Sequence, residues 1–195
     1  MDELNQIKRV LDSMIRISEN EMTDFLKYCF IKQFKKKEFL SASHSMVDEI
    51  FFIKQGLIRF FLIDQNGTEH TTYFAMENQF ICDYSSFIRK APSIYSLEAL
   101  ENTEVVVLPR ESIEWAYNNM AEGNKMGRLI SEFYFIQQDN QIRDQYIRTP
   151  KELYDSITTV FPDIHNRVPQ HMIASYLGIT SVHLSRLKKA EYSKS

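Results

Sequence analysis

The sequence predicts an α+β protein: an N-terminal antiparallel β-roll of jelly-roll type with flanking helices, then a long helix, then a C-terminal winged-helix-like helix-turn-helix. Three observations carry that expectation. Between Val47 and Phe80 the chain is rich in Phe, Ile, Thr and Tyr and is punctuated by Gln55-Gly56 and Asn66-Gly67, the composition and turn chemistry of short strands. Beyond Pro109 the apolar residues return at helical spacing. The chain then runs into QHMIASYLGITSVHLSRLKK, where a small residue, a glycine and two leucines stand at the offsets of two crossing helices.

The bulk properties bound the function. A composition of 44% hydrophobic and 25% charged residues over 195 positions suits a folded protein with a sizeable core, and 13% aromatic residues argue against disorder. No apolar run approaches the ~20 residues of a membrane helix. Residues 1–20 alternate charged and apolar side chains and contain no signal-peptide core, so no membrane partner is expected and the cytoplasm is the expected location. Two cysteines, Cys29 and Cys82, fit that reducing compartment. They cannot by themselves build a four-thiolate iron–sulfur or zinc centre, and no cofactor or metal is expected. The net charge of −3 is uneven: residues 164–195 hold Arg167, Arg186, Lys188, Lys189 and Lys194 against Glu191 alone, a surplus of +4 that leaves −7 for the rest. Only this tail has the sign that a polyanion partner needs.

Ser18-Glu19-Asn20-Glu21 is a capping box, and the helix it opens carries Met22, Phe25, Leu26 and Cys29 at helical spacing. From Phe34 the rhythm becomes that of strands, with turn signals at Lys54-Gln55-Gly56 and a hairpin signal at Asn66-Gly67. TEVVVLP, Thr103–Pro109, closes the region as a short buried strand. In the helix that follows, Met126, Leu129, Phe133 and Ile136 keep a 3-4-3 spacing that Asn140 and Ile147 continue. Such a seam packs either on the helix's own β domain or on a second copy; Tyr134 and Phe135 widen the apolar surface beyond one packing face. Thr149-Pro150-Lys151-Glu152 starts a new helix, with Thr149 as N-cap, Pro150 where its missing N–H costs nothing, and Glu152 completing the box. The domain boundary is therefore expected at Arg148/Thr149.

In the closing block Gln170 opens a first helix whose Ile173 and Ala174 face inward, Ala174 being small enough for a second helix to cross close by. Gly178 stands at the turn, where a left-handed backbone suits glycine. Ile179 fills the angle between the helices, Thr180 N-caps the second helix, and Leu184 and Leu187 anchor it. The outer face then carries Ser181, Val182, His183, Ser185, Arg186 and Lys189. Polar side chains at the start of such a helix reach base edges in the major groove, while its first N–H groups and nearby cations hold phosphates.

Over nearly its whole length the chain resembles the Crp/Fnr family of bacterial transcription regulators. VPQHMIASYLGITSVHLSRLKK is the most specific stretch; ENQFICDYSSF followed by SLEALENTEVVVLPRE resembles the end of the family's effector-binding roll leading into its long helix. The resemblance implies a cyclic nucleotide-binding-like roll over 1–120, a dimerisation helix and hinge over 121–148, and a DNA-binding helix-turn-helix over 149–195. It implies a homodimer, joined through Met126, Leu129, Phe133, Ile136 and Asn140, on a pseudo-palindromic promoter site in double-stranded DNA, with RNA polymerase as a further partner. In that family the two leading outward positions of the recognition helix and one a turn later read bases; here these are Ser181, Val182 and Arg186, with Gln170, Thr180, His183, Ser185 and Lys189 around them.

The resemblance departs at the effector site. Family members that bind cyclic AMP carry a Gly-Glu pair and, about ten residues on, an Arg-Ser pair. Here those positions hold Cys82-Asp83 and Ser93-Ile94, so the arginine that neutralises the cyclic phosphate is missing, and a buried unpaired phosphate is costly. A pocket over Asp83, Tyr84, Ser85, Ser93 and Ile94 is therefore expected to refuse cyclic AMP and to take another small effector or none. His44 and His70, 26 residues apart, lack the His-X-His spacing of a cupin metal site, and no hydrolase triad or phosphate loop is present, so no enzymatic activity is expected. The competing reading is an effector-binding module without DNA affinity.

Overall fold

The computed structural model describes residues 5–192, with the side chains of 5–189; Lys194 and the Glu191 side chain, both counted in the basic tail, lie outside the described residues. Helix α1 (Asn5–Asp12) buries Ile7 and Leu11, one turn apart. Helix α2 (Glu19–Leu26) begins at the expected capping box: Ser18 Oγ accepts from the Glu21 N–H at 3.3 Å, and the Glu21 carboxylate accepts from the Ser18 N–H at 2.9 Å. Cys29 lies past the end of this helix.

Eight strands follow: β1 (Phe30–Phe34), β2 (Phe39–Ser41), β3 (Glu49–Gln55), β4 (Ile58–Ile63), β5 (Glu69–Ala75), β6 (Phe80–Ile81), β7 (Tyr95–Ala99) and β8 (Thr103–Pro109), with the short helix α3 (Tyr84–Arg89) between β6 and β7. They form two four-stranded sheets, β1-β8-β3-β6 and β2-β7-β4-β5, antiparallel throughout. Asn66-Gly67 makes the expected hairpin, with Ile63 opposite Glu69 and Gly67 at φ +79°. Asp64 Oδ1 pins its turn by accepting from the N–H groups of Asn66 and Thr68 at 2.8 and 2.9 Å. Gln55-Gly56 behaves differently: it carries the chain from one sheet to the other, since β3 and β4 belong to different sheets. Gly56 sits at φ +111°, and a Cβ there would come within 2.7 Å of the Thr103 backbone. Glycine is required on both counts.

Strand β8 explains the TEVVVLP pattern. Val105 and Val107 point between the two sheets, among Phe34, Phe51, Ile53, Ile58, Leu97 and Ala99. Val106 and Leu108 point the other way, into a second core shared with Ile7, Leu11, Phe25, Phe52, Ile113 and Met126. A central strand buried on both faces reads as continuous apolar sequence.

Helix α4 (Arg110–Asn119) and the 25-residue α5 (Gly123–Ile147) complete that second core. The chain breaks at Arg148, and α6 (Pro150–Val160) starts at the Thr149 box, with the Thr149 N–H donating to Glu152 at 2.8 Å. Then come α7 (Ile164–Arg167), α8 (Gln170–Tyr176) and α9 (Ser181–Tyr192). No strand follows β8 among the described residues, so the helix-turn-helix stands without the wing expected beside it.

The tail does not stand apart from the roll. A third core joins Leu57, Phe74 and Leu100 of the roll to Tyr154, Ile157, Phe161, Ile164, Val168, Ile173, Leu177 and Leu184. Phe161 is fully buried and meets the rings of Tyr73, Phe74 and Tyr176 at 5.5–5.8 Å between centroids. Its burial contributes about 1.5–3 kcal/mol, with edge-on ring contacts adding to it.

Candidate nucleic-acid interface

The two-helix element forms as its sequence dictates. Gly178 has φ +67° with open space where a Cβ would go, so it is backbone conformation, not crowding, that favours glycine there. The turn closes α8 with Gly178 N–H to Ser175 O at 3.1 Å and Ile179 N–H to Ala174 O at 3.0 Å. Thr180 Oγ1 caps α9 by accepting from the His183 N–H at 3.2 Å. Leu184 is buried and Leu187 half-buried in the third core, with Ile179 packed against it. Thr180, Ser181, Val182, His183, Ser185, Arg186 and Lys189 are all exposed, so the expected reading face is presented to solvent from the N-cap of α9 to its last turn. Gln170 differs: it is half-buried and its Oε1 accepts from Lys188 Nζ at 3.1 Å, which holds the start of α8 to the second helix.

Arg167, counted from sequence among the tail's free cations, is committed elsewhere. Its guanidinium grips two roll carboxylates, with Nη2 to Glu101 Oε1 at 2.6 Å and to Glu77 Oε1 at 2.8 Å, Nη1 to Glu77 Oε2 at 3.1 Å and Nε to Glu101 Oε2 at 3.3 Å. Burial pushes the Glu77 carboxyl up, but hydrogen bonds from Arg167 and the Gly56 N–H outweigh it and hold it below the usual range. Ser175 adds a second tie: its Oγ accepts from the Thr71 N–H at 2.9 Å and donates to the Glu69 carbonyl at 3.2 Å, satisfying the outer strand of that sheet. Sequence periodicity carries no sign of either contact.

On α5 the expected seam divides. Met126 is 3% exposed and belongs to the second core, so it is withdrawn from the interface set. Leu129 is half-buried against that core. Phe133, Ile136 and Asn140 are exposed on the face that follows it, and Ile147 continues it. One helix cannot turn all its apolar residues to one core, and Gly123, Met126, Ile130 and Tyr134 take the inner face. Phe135, Ile142 and Tyr146 lie uncovered on another side, Tyr146 at 86% exposure.

At the expected effector pocket the structure brings two of five residues together. Asp83 and Ser93 are buried, and Ser93 Oγ donates to Asp83 Oδ2 at 2.8 Å while Asp83 Oδ1 accepts from the Ser86 N–H at 3.1 Å. The carboxylate is thus occupied as the N-cap of α3. Ser85 and Ile94 point to solvent, and Tyr84 stacks on Phe87 with its hydroxyl accepting from Ser131 at 3.1 Å; these three leave the pocket set. The charged residue that sequence reading missed is Arg59, 2% exposed on β4. Its Nε donates to Thr71 Oγ1 at 2.8 Å, Nη1 meets Glu69 at 2.5 Å, and the guanidinium lies 4.2 Å from the Phe61 ring centre. A lone arginine inside IRFFLI was the available signal, since a buried charge requires such partners. Burial pushes the thiol of Cys29 up to about 12 and raises that of Cys82 as well, which leaves both as inert packing groups. Among the described residues no cluster of three or more His, Cys, Asp or Glu is placed to hold a metal ion, and no described helix is long and apolar enough to cross a membrane.

Residues 31–119 match the family of cyclic nucleotide-binding domains. Among solved structures, FixK2 from Bradyrhizobium japonicum superposes with a TM-score of 0.71 at 14% identity, covering 85% of this chain and 85% of that one. A protein from Eubacterium rectale assigned to the crp/fnr family of transcriptional regulators superposes with a TM-score of 0.70 at 14% identity, covering 91% and 85%. This is the fold of the Crp/Fnr regulators. The Catabolite Activator Protein of Thermus thermophilus shares it at a TM-score of 0.56 and 14% identity, over 91% of this chain and 84% of that one. A sequence search of curated proteins finds no match. The Crp/Fnr fold places the roll first, the long helix next and the crossing helices last, as the sequence led us to expect.

Proposed function

We propose that the chain is a sequence-specific, DNA-binding transcription regulator that acts as a cytoplasmic homodimer on a pseudo-palindromic duplex site. The working units are the roll (1–120), the dimerisation helix and hinge (121–148) and the DNA-binding tail (149–195). The observation that carries the reading is α9: a capped helix, anchored underneath by Leu184, with solvent-facing polar side chains at its start and the exposed Arg186 and Lys189 further along it. Phe133, Ile136 and Ile147 on the outer face of α5 supply the second-copy contact, and two-fold pairing matches a two-fold operator. Base recognition falls to Arg186, whose guanidinium forks onto guanine O6 and N7, with Ser181, Val182 and His183 alongside it; a promoter-bound dimer would meet RNA polymerase there. The roll does not take cyclic nucleotides, because Asp83 is consumed by Ser86 and Ser93 and no arginine stands at Ser93-Ile94 to meet a phosphate; any effector is of another class.

The test starts from duplexes selected by the purified protein out of a random pool. Arg186→Ala is expected to lose about 1–3 kcal/mol on the selected duplex relative to random DNA. Lys189→Ala is expected to weaken both alike and to flatten the salt dependence by about one. An unchanged specific-to-random ratio in Arg186→Ala would assign recognition to the wrong residue. A wild-type protein that binds neither duplex at low salt would hand the fold to the alternative, an effector module without DNA affinity.

A further inference from the structure

Where the long helix meets the tail, the packing leaves a crevice of about 400 Å³, part of it open to solvent. Its walls come from α5, α6 and α8. Ile157 and Leu177 are buried at its floor, Leu153 is half-buried, and Val160 stands at the rim, 51% exposed. Polar groups meet this apolar surface from three helices: Gln141 and Asp144 on α5, Ser156 on α6 and Tyr176 on α8. A concave apolar surface with a few placed polar groups is the general form of a small-molecule site.

Most of these polar groups are fixed. Gln141 Nε2 donates to the Thr72 carbonyl at 2.6 Å, which ties α5 to the roll, and Ser156 Oγ donates to the Leu153 carbonyl at 3.1 Å. The Tyr176 ring packs on Phe74 and Phe161 at 5.5 Å. Burial pushes its hydroxyl up, with Tyr73 and the Asp144 carboxylate adding to it, so it stays a neutral donor. Asp144 is the one acid among the described lining residues, half-buried, with its carboxylate 3.1 Å from Arg148 Nε. Arg148 Nη1 also reaches Ser156 Oγ at 3.4 Å, so the guanidinium runs from α5 to α6 along the edge of the crevice.

An acid and a guanidinium thus stand side by side above an apolar floor, and that pair selects a charge type. A lone cation would take Asp144 and leave Arg148 without its partner; a lone anion would do the reverse. A zwitterion replaces the one ion pair by two, and the planar guanidinium accepts a carboxylate through two parallel hydrogen bonds. The floor then takes an aliphatic side chain. Occupancy has a consequence, because Arg148 and Thr149 alone separate α5 from α6, and Leu177 directly precedes the Gly178 turn into α9. A molecule held by Asp144, Arg148 and Leu177 fixes the angle between the long helix and the two-helix element.

We propose that the crevice binds a free α-amino acid with an aliphatic side chain, its ammonium on Asp144 and its carboxylate on Arg148, and that occupancy orders the tail for DNA; the second step rests on the DNA-binding reading of α9.

L-valine, L-leucine and L-isoleucine are titrated separately into the full chain by calorimetry at up to millimolar concentration. At least one is expected to give saturable heat. Isoamylamine and isocaproate, which keep the leucine side chain but only one of the two charges, are expected to give none. Asp144→Asn and Arg148→Gln should each lose at least about tenfold in affinity for the amino acid. Urea midpoints near that of the wild type certify their folds, because a partly exposed ion pair contributes little to stability. On the selected duplex the amino acid should tighten wild-type binding by roughly fivefold or more, a response that both variants lose. Four results overturn the proposal: no saturable heat from any of the three amino acids, equal binding of either singly charged analogue, an Asp144→Asn variant that binds as the wild type does, or a duplex affinity that the amino acid leaves unchanged. In each case a wild type that binds the selected duplex leaves recognition by α9 standing. Saturable heat from a protein that binds no duplex instead removes the DNA-binding reading and keeps the amino-acid site.

Discussion

Replacing Arg167 with methionine tests how the tail is held on the roll. Methionine keeps much of the apolar stem and removes a guanidinium that makes four contacts of 2.6–3.3 Å with Glu77 and Glu101. Hydrogen bonds to charged groups contribute about 1.5–3 kcal/mol each when sheltered. Here the arginine side chain is 21% exposed and the carboxylates 33% and 35%, so solvent screening reduces the whole set to about 2–3 kcal/mol. The variant also leaves two carboxylates facing one another without their cation. Urea denaturation at pH 7 should show the loss as a lowered midpoint. The acid limb supplies the sharper check. The Glu77 carboxyl is held below its usual value of 4.5, so its contribution is present above that value and is lost as pH falls through the depressed one. The gap between wild type and variant should be full at pH 7 and should close as pH drops below about 4.5. A gap under about 0.5 kcal/mol at pH 7, or one that persists unchanged into acid, would mean that apolar contacts alone hold the tail and that the ion pairs are screened away.

Two further outcomes are expected. Phe133→Asp with Ile136→Asp places like charges on the outer face of α5 and should give monomer in analytical ultracentrifugation; an intact dimer removes that face from the interface. Cyclic AMP and cyclic GMP should give no saturable heat in calorimetry at millimolar ligand, and micromolar binding of either would show that Asp83 and Ser93 release one another for a nucleotide.

Local chemistry was legible wherever the physics is local. Ser18, Thr149, Thr180, Gly178 and Asn66-Gly67 each act within a few residues of their own position, so their roles could be read from spacing. The burial of β8 was likewise written in the unbroken apolar run Val105 to Leu108, although which face met which core was not. What stayed hidden was set by distance along the chain. Nothing near Gln55-Gly56 indicates that its flanking strands part into different sheets, because strand pairing is decided by partners such as Val107, which sits opposite both Phe30 and Phe51. Met126 has the same spacing to Leu129 as a seam residue would, and only the position of α4 and β8 decides that it turns inward. Arg167 looked like one more cation in a basic tail until two carboxylates from 66 and 90 residues away met it.

The core shared by the roll and the tail also sets an order of assembly. The helices after Thr149 bury Phe161, Ile164 and Leu184 against Leu57, Phe74 and Leu100, so the surface on which they complete their core exists only once the sheets are closed. The pairing of β1 with β8 joins Phe30 to Val107, a contact of long sequence separation and therefore slow to form. On the ribosome the tail emerges after every strand it needs, and domains fold broadly in the order they appear. The segment that carries Arg186 would thus become rigid only after the roll has passed its own folding test, and a chain with a defective sheet would carry α9 in an unfinished state.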